Sequence, residues 1–360
     1  MNILLLLAHE IAEFDDLRMF HDLGQSVFSI GAYTNPARPD LTMEHGGRGL
    51  RPPLPNIPFH ADLAAKCDEI RATSAETMDE HTRTWMIDPA KGFLHPDIID
   101  WADVIICHHY PERWLIPQWP RLRHKRVIWR TCGQSNVALE GEMAKLDGLQ
   151  IVRYSPKERI AFEKAGSFAG EDAMIRFGKY PADYGPWIGD EIVVGNVTQN
   201  LDLRGEHCGY PFWLAATQGL PTKPAGTGSE RLGGTGELSY PAMLDYLRHL
   251  RTYLYMGTQP ASYTLGLMEA MLTGTPVVSI GPAGMWTPDL FEGHEITSWG
   301  DVEGAHQMLN HWLKMTDPKW DDALAYASAW TRKRAIELFD VATVGQQWMS
   351  FLGVRVAVAA

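Results

Sequence analysis

The stretch PASYTLGLMEAMLTGTPVVSIG, from Pro260 to Gly281, predicts a helix followed by a buried strand. Its first half is rich in Leu, Met and Ala, which favour helices. Gly274 marks the expected end of the helix, and the Val-rich run after it is typical of a strand. We expect the helix to run from about Thr264 to Leu272, with Ser262 near the N-cap position. A helix that leads into a strand in this way indicates an α/β protein.

Glu269 is the one acidic residue of this stretch. At roughly 3.6 residues per turn, Leu265, Met268 and Leu272 share the face toward the core, and Glu269 lies at the edge of that face. Its other neighbours on the helix surface are small, so a ligand could approach the carboxylate closely. Because an unpaired buried charge is costly, the carboxylate needs hydrogen-bond donors. The hydroxyls of a ribose are one source, and a neighbouring loop or an Arg side chain is another.

The turn before the helix, GTQPASYT at 257–264, predicts an anion site. The first turn of a helix presents backbone N–H groups and the positive end of the helix dipole. A nucleoside diphosphate at this turn and its ribose beside Glu269 would fit one ligand. An ordinary loop-to-helix connection is the alternative.

Composition limits the classes of partner. The chain has 360 residues, with 32 Lys and Arg against 44 Asp and Glu, which gives a formal net charge of −12. Such an acidic chain is unlike a general nucleic-acid coat or a binder of anionic membranes, since both need positive charge. Its four cysteines form no C-x-x-C pair, and no apolar run is long enough to cross a bilayer. The apolar stretch at the N-terminus lacks the basic flank that a signal peptide has. We therefore expect a cytoplasmic protein without a transmembrane segment.

Strand and helix patterns alternate along the chain and predict two parallel sheets. In the first half, buried-strand patterns are NILLLL, SVFSIGAY, DVIICHH, RVIWRTCG and LQIVRY. In the second half they are EIVVGNVTQ, RTYLYMGT and TPVVSIG. The expected fold class is α/β, with two Rossmann-like parallel-sheet domains that face a central cleft. In such sheets ligands bind beyond the carboxyl ends of the strands.

The Pro- and Gly-rich segment YPADYGPWIGD is the best linker candidate. It leads us to predict a first domain at 1–185, a second domain at 186–335 and a C-terminal helix at 336–360 that packs back toward the first domain. The stretch from about 34 to 60 carries Pro, Gly and Arg without clear periodicity, so a long surface loop is expected there.

The segment TLGLMEAMLTGTPVV resembles the donor-binding motif of GT-B retaining glycosyltransferases, in particular the family 4 group. That motif reads roughly E-G-F-G-L-x-x-L-E-A-M-A-x-G-x-P-V-V. The positions kept in register are Leu265, Glu269, Ala270, Met271, Gly274, Pro276, Val277 and Val278. The resemblance implies that Glu269 holds the nucleotide ribose. The family's first Glu, which contacts the donor sugar, is replaced by Ala261.

Two further segments fit the same family. In EIVVGNVTQNLDLRGEH, Asn196 stands where the family has an Arg, and Arg204 with Gly205 stands near its diphosphate-reading Lys-Gly pair. An Arg fork suits phosphate oxygens, although Arg204 could equally be a solvated loop charge. ADVIICHH resembles a strand that ends in the family's acceptor-side His, which places His108 there. A structural His that bonds a neighbouring carbonyl is the alternative for His108.

The resemblance implies transfer of a sugar from a nucleotide-sugar donor such as a UDP-sugar, with retention and without a metal or other cofactor. Arg204 and the backbone of Ser262, Tyr263, Thr264 and Leu265 would hold the diphosphate, with Asn196 and Glu269 beside them, and His108 would face the acceptor.

Two other functions stay open at this point. One is a nucleotide-sugar epimerase of the same architecture, and the other is a non-catalytic nucleotide-sugar sensor, suggested by Ala261 and Asn196. The acceptor is not identified: glycan, lipid, small molecule and DNA base are all candidates. The basic run RLRHKRVIWR, Arg121–Arg130, is either a solvated connection or a contact to a phosphate-bearing acceptor, nucleic acid included, which the net charge does not support.

Overall fold

The computed structural model describes residues 1–7, 9–39, 50–74, 94–133, 135–258, 260–280, 288–291, 301–315 and 321–354. The chain divides into two compact units. Unit 1 comprises Met1–Gly178 and Val341–Ala360, and unit 2 comprises Lys179–Asp340. The domain limits predicted from the sequence, 1–185, 186–335 and 336–360, stay predictions.

Each unit contains a parallel sheet. In chain order the strands are β1 (Asn2–Leu6), β2 (Ser26–Ser29), β3 (Val104–Cys107), β4 (Arg126–Arg130), β5 (Gln150–Arg153), β6 (Ala173–Met174), β7 (Glu191–Val197), β8 (Thr222–Ala225), β9 (Leu250–Tyr255) and β10 (Val277–Ser279). Unit 1 has the strand order β2-β1-β3-β4-β5-β6 and unit 2 the order β10-β9-β7-β8. All strand pairs within them are parallel. The predicted fold class with two parallel sheets is confirmed.

The helices lie between and after these strands. In chain order they are α1 (Glu10–Asp22), α2 (Ala61–Ser74), α3 (Pro96–Trp101), α4 (Pro111–Trp114), α5 (Trp119–Leu122), α6 (Val137–Met143), α7 (Pro156–Lys164), α8 (Leu201–Arg204), α9 (Tyr210–Ala216), α10 (Tyr240–His249), α11 (Leu265–Thr273), α12 (Pro288–Phe291), α13 (Val302–Lys314), α14 (Asp321–Phe339) and α15 (Val341–Leu352). Short 3₁₀ turns begin at Ile116, Pro181, Gly205 and Ser229.

Two central strands of unit 1, β1 and β3, are almost entirely apolar. β1 (NILLL) and β3 (VIIC) are buried along nearly their whole length, because helices cover both faces of a parallel sheet. The strand order changes direction at β1, which has β2 on one side and β3 on the other. Side chains that follow β1 and β3 therefore meet near a topological switch point, where α/β folds commonly bind ligands.

The last described helix, α15, completes unit 1. Trp348 on α15 is fully buried, and its ring packs edge-on against Phe20 of α1 with centroids 5.6 Å apart. Arg126, at the start of β4, donates hydrogen bonds to the carbonyls of Phe351 and Leu352 at 2.8 and 2.9 Å. Packing and hydrogen bonds thus hold α15 against α1 and β4 within unit 1.

Of the loop predicted at 34–60, residues 40–49 lie outside the described residues. The described part from 50 to 60 has no helix or strand, as expected. It is not only surface, however, because Arg51 and Ile57 are buried. The backbone N–H of Arg51 donates a hydrogen bond to the carboxylate of Glu10 at 3.0 Å. Among the described residues, no helix is long and apolar enough to cross a membrane.

Candidate functional site

The candidate donor site in unit 2 begins at the turn between β9 and α11. Thr264 is the N-cap of α11, and its hydroxyl accepts a hydrogen bond from the backbone N–H of Leu267 at 3.4 Å. The predicted N-cap near Ser262 is therefore two residues too early. Both residue types cap helices well, but here the hydroxyl of Thr264 reaches the first turn. The predicted helix end is confirmed, since Gly274 adopts φ 87 as the C-cap.

The first turn of α11 lies directly on the end of β7. A Cβ added to Gly266 would lie 3.3 Å from both Cβ and the carbonyl oxygen of Val197. A glycine at this position lets the helix start approach the strand closely. Leu265 and Gly266 are half-buried rather than covered, so their backbone N–H groups can meet a ligand. Ser262 and Tyr263, predicted as diphosphate contacts, are buried on the preceding turn.

Glu269 is more buried than the sequence suggested. Its side chain is 1% exposed, and Oε1 accepts a hydrogen bond from the ammonium of Lys179 at 2.9 Å. The hydroxyl of Tyr184 lies 3.5 Å from the same oxygen. Among the partners considered for Glu269 from the sequence was an Arg side chain. In the structure Glu269 does form an ion pair, but its partner is a Lys. Lys179 is itself held by a 2.7 Å hydrogen bond from its backbone N–H to the carbonyl of Phe339.

Asn196 is buried near the carboxyl end of β7. Its amide nitrogen donates to the carbonyl of Leu254 on β9 at 2.9 Å, and its backbone N–H donates to the hydroxyl of Tyr246 at 3.2 Å. Among the described residues, its side-chain oxygen has no hydrogen-bond partner. A buried amide oxygen in this condition can accept a hydrogen bond from a ligand or a water molecule.

Arg204 ends the short helix α8, which follows the turn after β7. Its side chain is exposed. Nearby, the guanidinium of Arg231 forms a bidentate pair with Asp202 at 2.6 and 2.7 Å, which fixes the glycine-rich turn after β8 to α8. The structure thus brings Arg204, Asn196 and the start of α11 to the carboxyl edge of one sheet.

In unit 1, His108 follows β3 and is fully buried. Its Nε2 lies 3.2 Å from Oδ2 of Asp16 without hydrogen-bond geometry. Asp16 instead accepts two hydrogen bonds from Arg130, at 2.6 and 2.8 Å. Burial and, after it, the charge of Arg130 hold the pKa of His108 well below its usual value. His108 is therefore a neutral imidazole at physiological pH.

Asp16 and Arg130 were not among the predicted site residues. Arg130 is buried with its guanidinium 4.5 Å from the ring centre of Phe177 and 5.3 Å from that of Trp348. Its pairing with Asp16 joins β4 to α1, two elements separated by 114 positions along the chain. The only sequence signal was an Arg inside an apolar strand, which indicates a buried partner without identifying it.

In the basic run Arg121–Arg130, several cationic side chains form hydrogen bonds within the protein. Arg121 donates to the carbonyl of Leu94 at 3.0 Å, and Lys125 donates to that of Asp100 at 3.0 Å. The cations of Arg126 and Arg130 are used in the helix and carboxylate contacts described above. This arrangement favours the solvated-connection reading of the run over a phosphate-binding surface.

A cavity of about 380 Å³ opens beside His108 in unit 1. It lies at the carboxyl ends of β3 and β4 and is closed on one side by α6. Trp129, Cys132 and Ser135 also line it. Its size falls in the range of small-molecule sites, roughly 300–1,000 Å³. Within the described parts of the chain, no three His, Cys, Asp or Glu side chains are grouped as a metal site would require.

Comparison with known proteins rests on structure. No protein-family model matches the chain, and no curated protein matches it in sequence. Sucrose-phosphate synthase from Thermosynechococcus elongatus superposes with a TM-score of 0.62 at 13% identity, covering 98% of both chains. Anabaena HepE, solved with UDP and glucose, gives a TM-score of 0.63 at 16% identity over 98% of this chain and 99% of HepE.

The chain has the GT-B glycosyltransferase fold. A glycosyltransferase from Rickettsia africae shares the GT-B fold with a TM-score of 0.62 at 10% identity, over 98% of both chains. The resemblance drawn from the residues around Glu269 is thus confirmed at the level of the fold.

Proposed function

We propose that the protein transfers a sugar from a UDP-sugar to an acceptor. The observation that carries this proposal is the whole-length match to Anabaena HepE, a GT-B protein solved with UDP and glucose. The sequence around α11 adds to it independently, because the motif of nucleotide-sugar transferases occurs there in register.

In this proposal unit 2 binds the donor at the carboxyl edge of its sheet. The diphosphate lies over the first turn of α11, where the backbone N–H groups of Leu265 and Gly266 and the helix dipole favour negative charge. The carboxylate of Glu269 accepts hydrogen bonds from the ribose hydroxyls. Lys179 fixes that carboxylate at 2.9 Å and neutralises it, so a buried negative charge does not repel the diphosphate.

Arg204 supplies the mobile positive charge of the site. It is exposed, so its guanidinium can move onto the diphosphate without breaking a buried contact. As the bond between sugar and diphosphate breaks, negative charge grows on the leaving oxygens. A bidentate Arg and a helix N-terminus stabilise that charge, which is the task a metal ion performs in other transferases. We therefore propose a metal-independent reaction with retention at the anomeric carbon, as in the family that the motif resembles.

Ala261 has no polar side chain with which to contact the donor sugar. In this proposal the sugar is held by other groups, and the side-chain oxygen of Asn196 is available as a hydrogen-bond acceptor. In unit 1, the neutral imidazole of His108 lies beside the acceptor as a polar contact.

The test is incubation of the purified protein with a panel of UDP-sugars and candidate acceptors. UDP release that rises with acceptor, together with a glycosylated product, is the expected result, and the anomeric coupling constant of the product reports retention. Interconversion of the donor sugar without UDP release would identify an epimerase instead. Tight UDP-sugar binding without turnover would identify a sensor, and absence of nucleotide binding would overturn the proposal.

A further inference from the structure

The cavity beside His108 has walls of two chemical kinds. Aromatic and aliphatic surface comes from Tyr110, Trp129 and the α6 residues that line it. Polar groups come from Ser135, Asn136 and the carboxylates of Glu112 and Glu142. Aromatic faces beside carboxylate oxygens suit a ring with apolar C–H faces and hydroxyl groups at its edges.

The charge of the lining favours an uncharged occupant over an anionic one. Among the described residues that line the cavity, two are carboxylates and none is Lys or Arg. Glu142 and Glu112 are about half exposed, at 49% and 42%, and each has its cation outside the lining, Lys145 at 2.5 Å and Arg113 at 4.0 Å. A phosphate or carboxylate in the cavity would therefore find no Lys or Arg among the described lining residues, and only two carboxylates whose cations lie outside the lining.

The hydrogen-bonding capacity of the wall is directional. The hydroxyl of Ser135 donates to Oε1 of Glu140 at 2.5 Å, so toward the cavity this oxygen is an acceptor. The side-chain oxygen Oδ1 of Asn136 caps α6 by accepting a hydrogen bond from the backbone N–H of Leu139 at 3.0 Å, which leaves the side-chain nitrogen Nδ2 as the available donor. The wall thus offers acceptors at Ser135, Glu112 and Glu142 and a donor at Asn136, which suits a ligand with hydroxyl groups.

The α6 wall is held rigidly. The carboxylate of Glu140 is fully buried. It accepts hydrogen bonds from Nη1 and Nη2 of Arg153 at 2.6 and 2.7 Å and from the backbone N–H of Ala169 at 3.0 Å. This pair anchors α6 to β5 and sets the positions of Ser135 and Asn136. A wall fixed before binding loses little entropy when the ligand binds.

We propose that this cavity binds an uncharged, hydroxylated ring, a saccharide unit, and that this unit is the acceptor. Its role as acceptor rests on the proposed function, whereas its binding does not. Within the basic run Arg121–Arg130, the side chains of Arg121, Lys125 and Arg130 already donate to carbonyl and carboxylate partners.

The experiment measures saccharide binding to the full-length protein by saturation-transfer NMR without nucleotide. The probes are methyl glucoside, methyl galactoside and methyl mannoside, each beside its 6-phosphate. We expect a neutral glycoside to bind at least about tenfold more tightly than its phosphate, the effect of one unfavourable charge contact. Equal or tighter binding of the phosphates, or no binding of any neutral glycoside, would overturn the proposal.

Three variants locate the site. Ala138→Trp fills the cavity from an exposed position of α6 and should abolish glycoside binding, whereas Val137→Trp, at the neighbouring exposed position outside the lining, should keep it. The double variant Glu112→Lys, Glu142→Lys should reverse the preference toward the phosphates. Wild-type binding by Ala138→Trp would place the saccharide elsewhere and overturn the proposal.

The two hypotheses fail in distinguishable ways. If glycosides bind as expected but no UDP-sugar binds or turns over, the saccharide site stands and the proposed function falls. If UDP-sugars turn over with phosphorylated acceptors in preference to neutral ones, the proposed function stands and this inference falls.

Discussion

The ammonium of Lys179 donates to the carboxylate of Glu269 at 2.9 Å, and neither side chain is more than 1% exposed. The pair joins the first residue of unit 2 to α11, the helix whose sequence resembles the donor-binding motif. Glu269 thus has a structural partner in addition to its proposed ligand. Experiments on this residue must separate the two roles.

Glu269→Gln should both destabilise unit 2 and weaken UDP binding. Removal of one partner from a buried ion pair leaves the other charge uncompensated, which costs about 3–5 kcal/mol of unfolding free energy. Urea unfolding measures this loss, and calorimetric titration with UDP measures the binding.

The double variant Lys179→Met, Glu269→Leu separates stability from binding. Without either charge, the unfolding free energy should return close to that of the wild type, because apolar replacement of a buried pair is often neutral or stabilising. UDP affinity should stay low, since no carboxylate meets the ribose. Recovery of both properties would show that the carboxylate is only structural.

Arg204→Ala should slow transfer strongly and leave the melting temperature unchanged. Its side chain is exposed, so folding loses little, whereas the departing diphosphate loses a charged hydrogen-bond donor worth about 1.5–3 kcal/mol. A roughly tenfold to hundredfold fall in kcat is expected. Lys333→Ala, another exposed cation of unit 2 with 78% exposure, is the control. Equal losses in both variants would contradict the assignment.

The fold was predictable because its signals are local. Strands such as β1 and β3 are continuous apolar runs, and a glycine closes α11 at the expected residue. Each feature depends on neighbours in the sequence, and together they specify parallel sheets. The N-cap of α11 was less certain, since Ser262 and Thr264 are both good caps and only the path of the turn selects between them.

The partners within the candidate sites were not predictable, because they come from distant parts of the chain. Lys179 lies 90 positions from Glu269, and Asp16 lies 114 positions from Arg130. No sequence periodicity links residues so far apart. A charged residue in an apolar segment indicates that it needs a partner, but not which residue that partner is. The pairing of Glu269 therefore required the structure, while its position on a helix after β9 did not.

The pH dependence of transfer should show no limb from His108. Burial and, after it, the charge of Arg130 hold the pKa of His108 well below its usual value, so the imidazole is neutral at physiological pH. His108→Gln should lower the rate without changing the shape of the pH–rate profile, and His124→Gln, at an exposed position, should change neither. A limb near pH 6.5 that vanishes in His108→Gln would contradict the neutral role.

Chelation should leave transfer intact. In the proposed reaction Arg204 and the first turn of α11 stabilise the departing diphosphate, so no divalent cation is required. The rate of UDP release is measured after extensive dialysis against EDTA, with and without added Mg²⁺ or Mn²⁺. Loss of activity on dialysis that returns with either ion would replace this mechanism with a metal-assisted one.

Glu158 should make unit 1 less stable as the pH rises. Its carboxyl is buried and accepts a hydrogen bond from Thr131, and burial raises its pKa from 4.5 to about 7. The folded state therefore binds the proton more tightly than the unfolded chain does. The stability that protonation provides is complete below pH 4.5 and is lost as the pH rises through 7, by on the order of 3 kcal/mol.

Glu158→Gln removes that titration and should flatten the dependence of unfolding free energy on pH between 4.5 and 7. Glu13, whose pKa burial also raises to about 7, still titrates in the variant, so a reduced slope remains. Glu163→Gln on the same helix, at an exposed position, should keep the full wild-type slope. Urea unfolding at a series of pH values measures all three proteins, and an unchanged slope in Glu158→Gln would show that the carboxylate is ionised in the folded state.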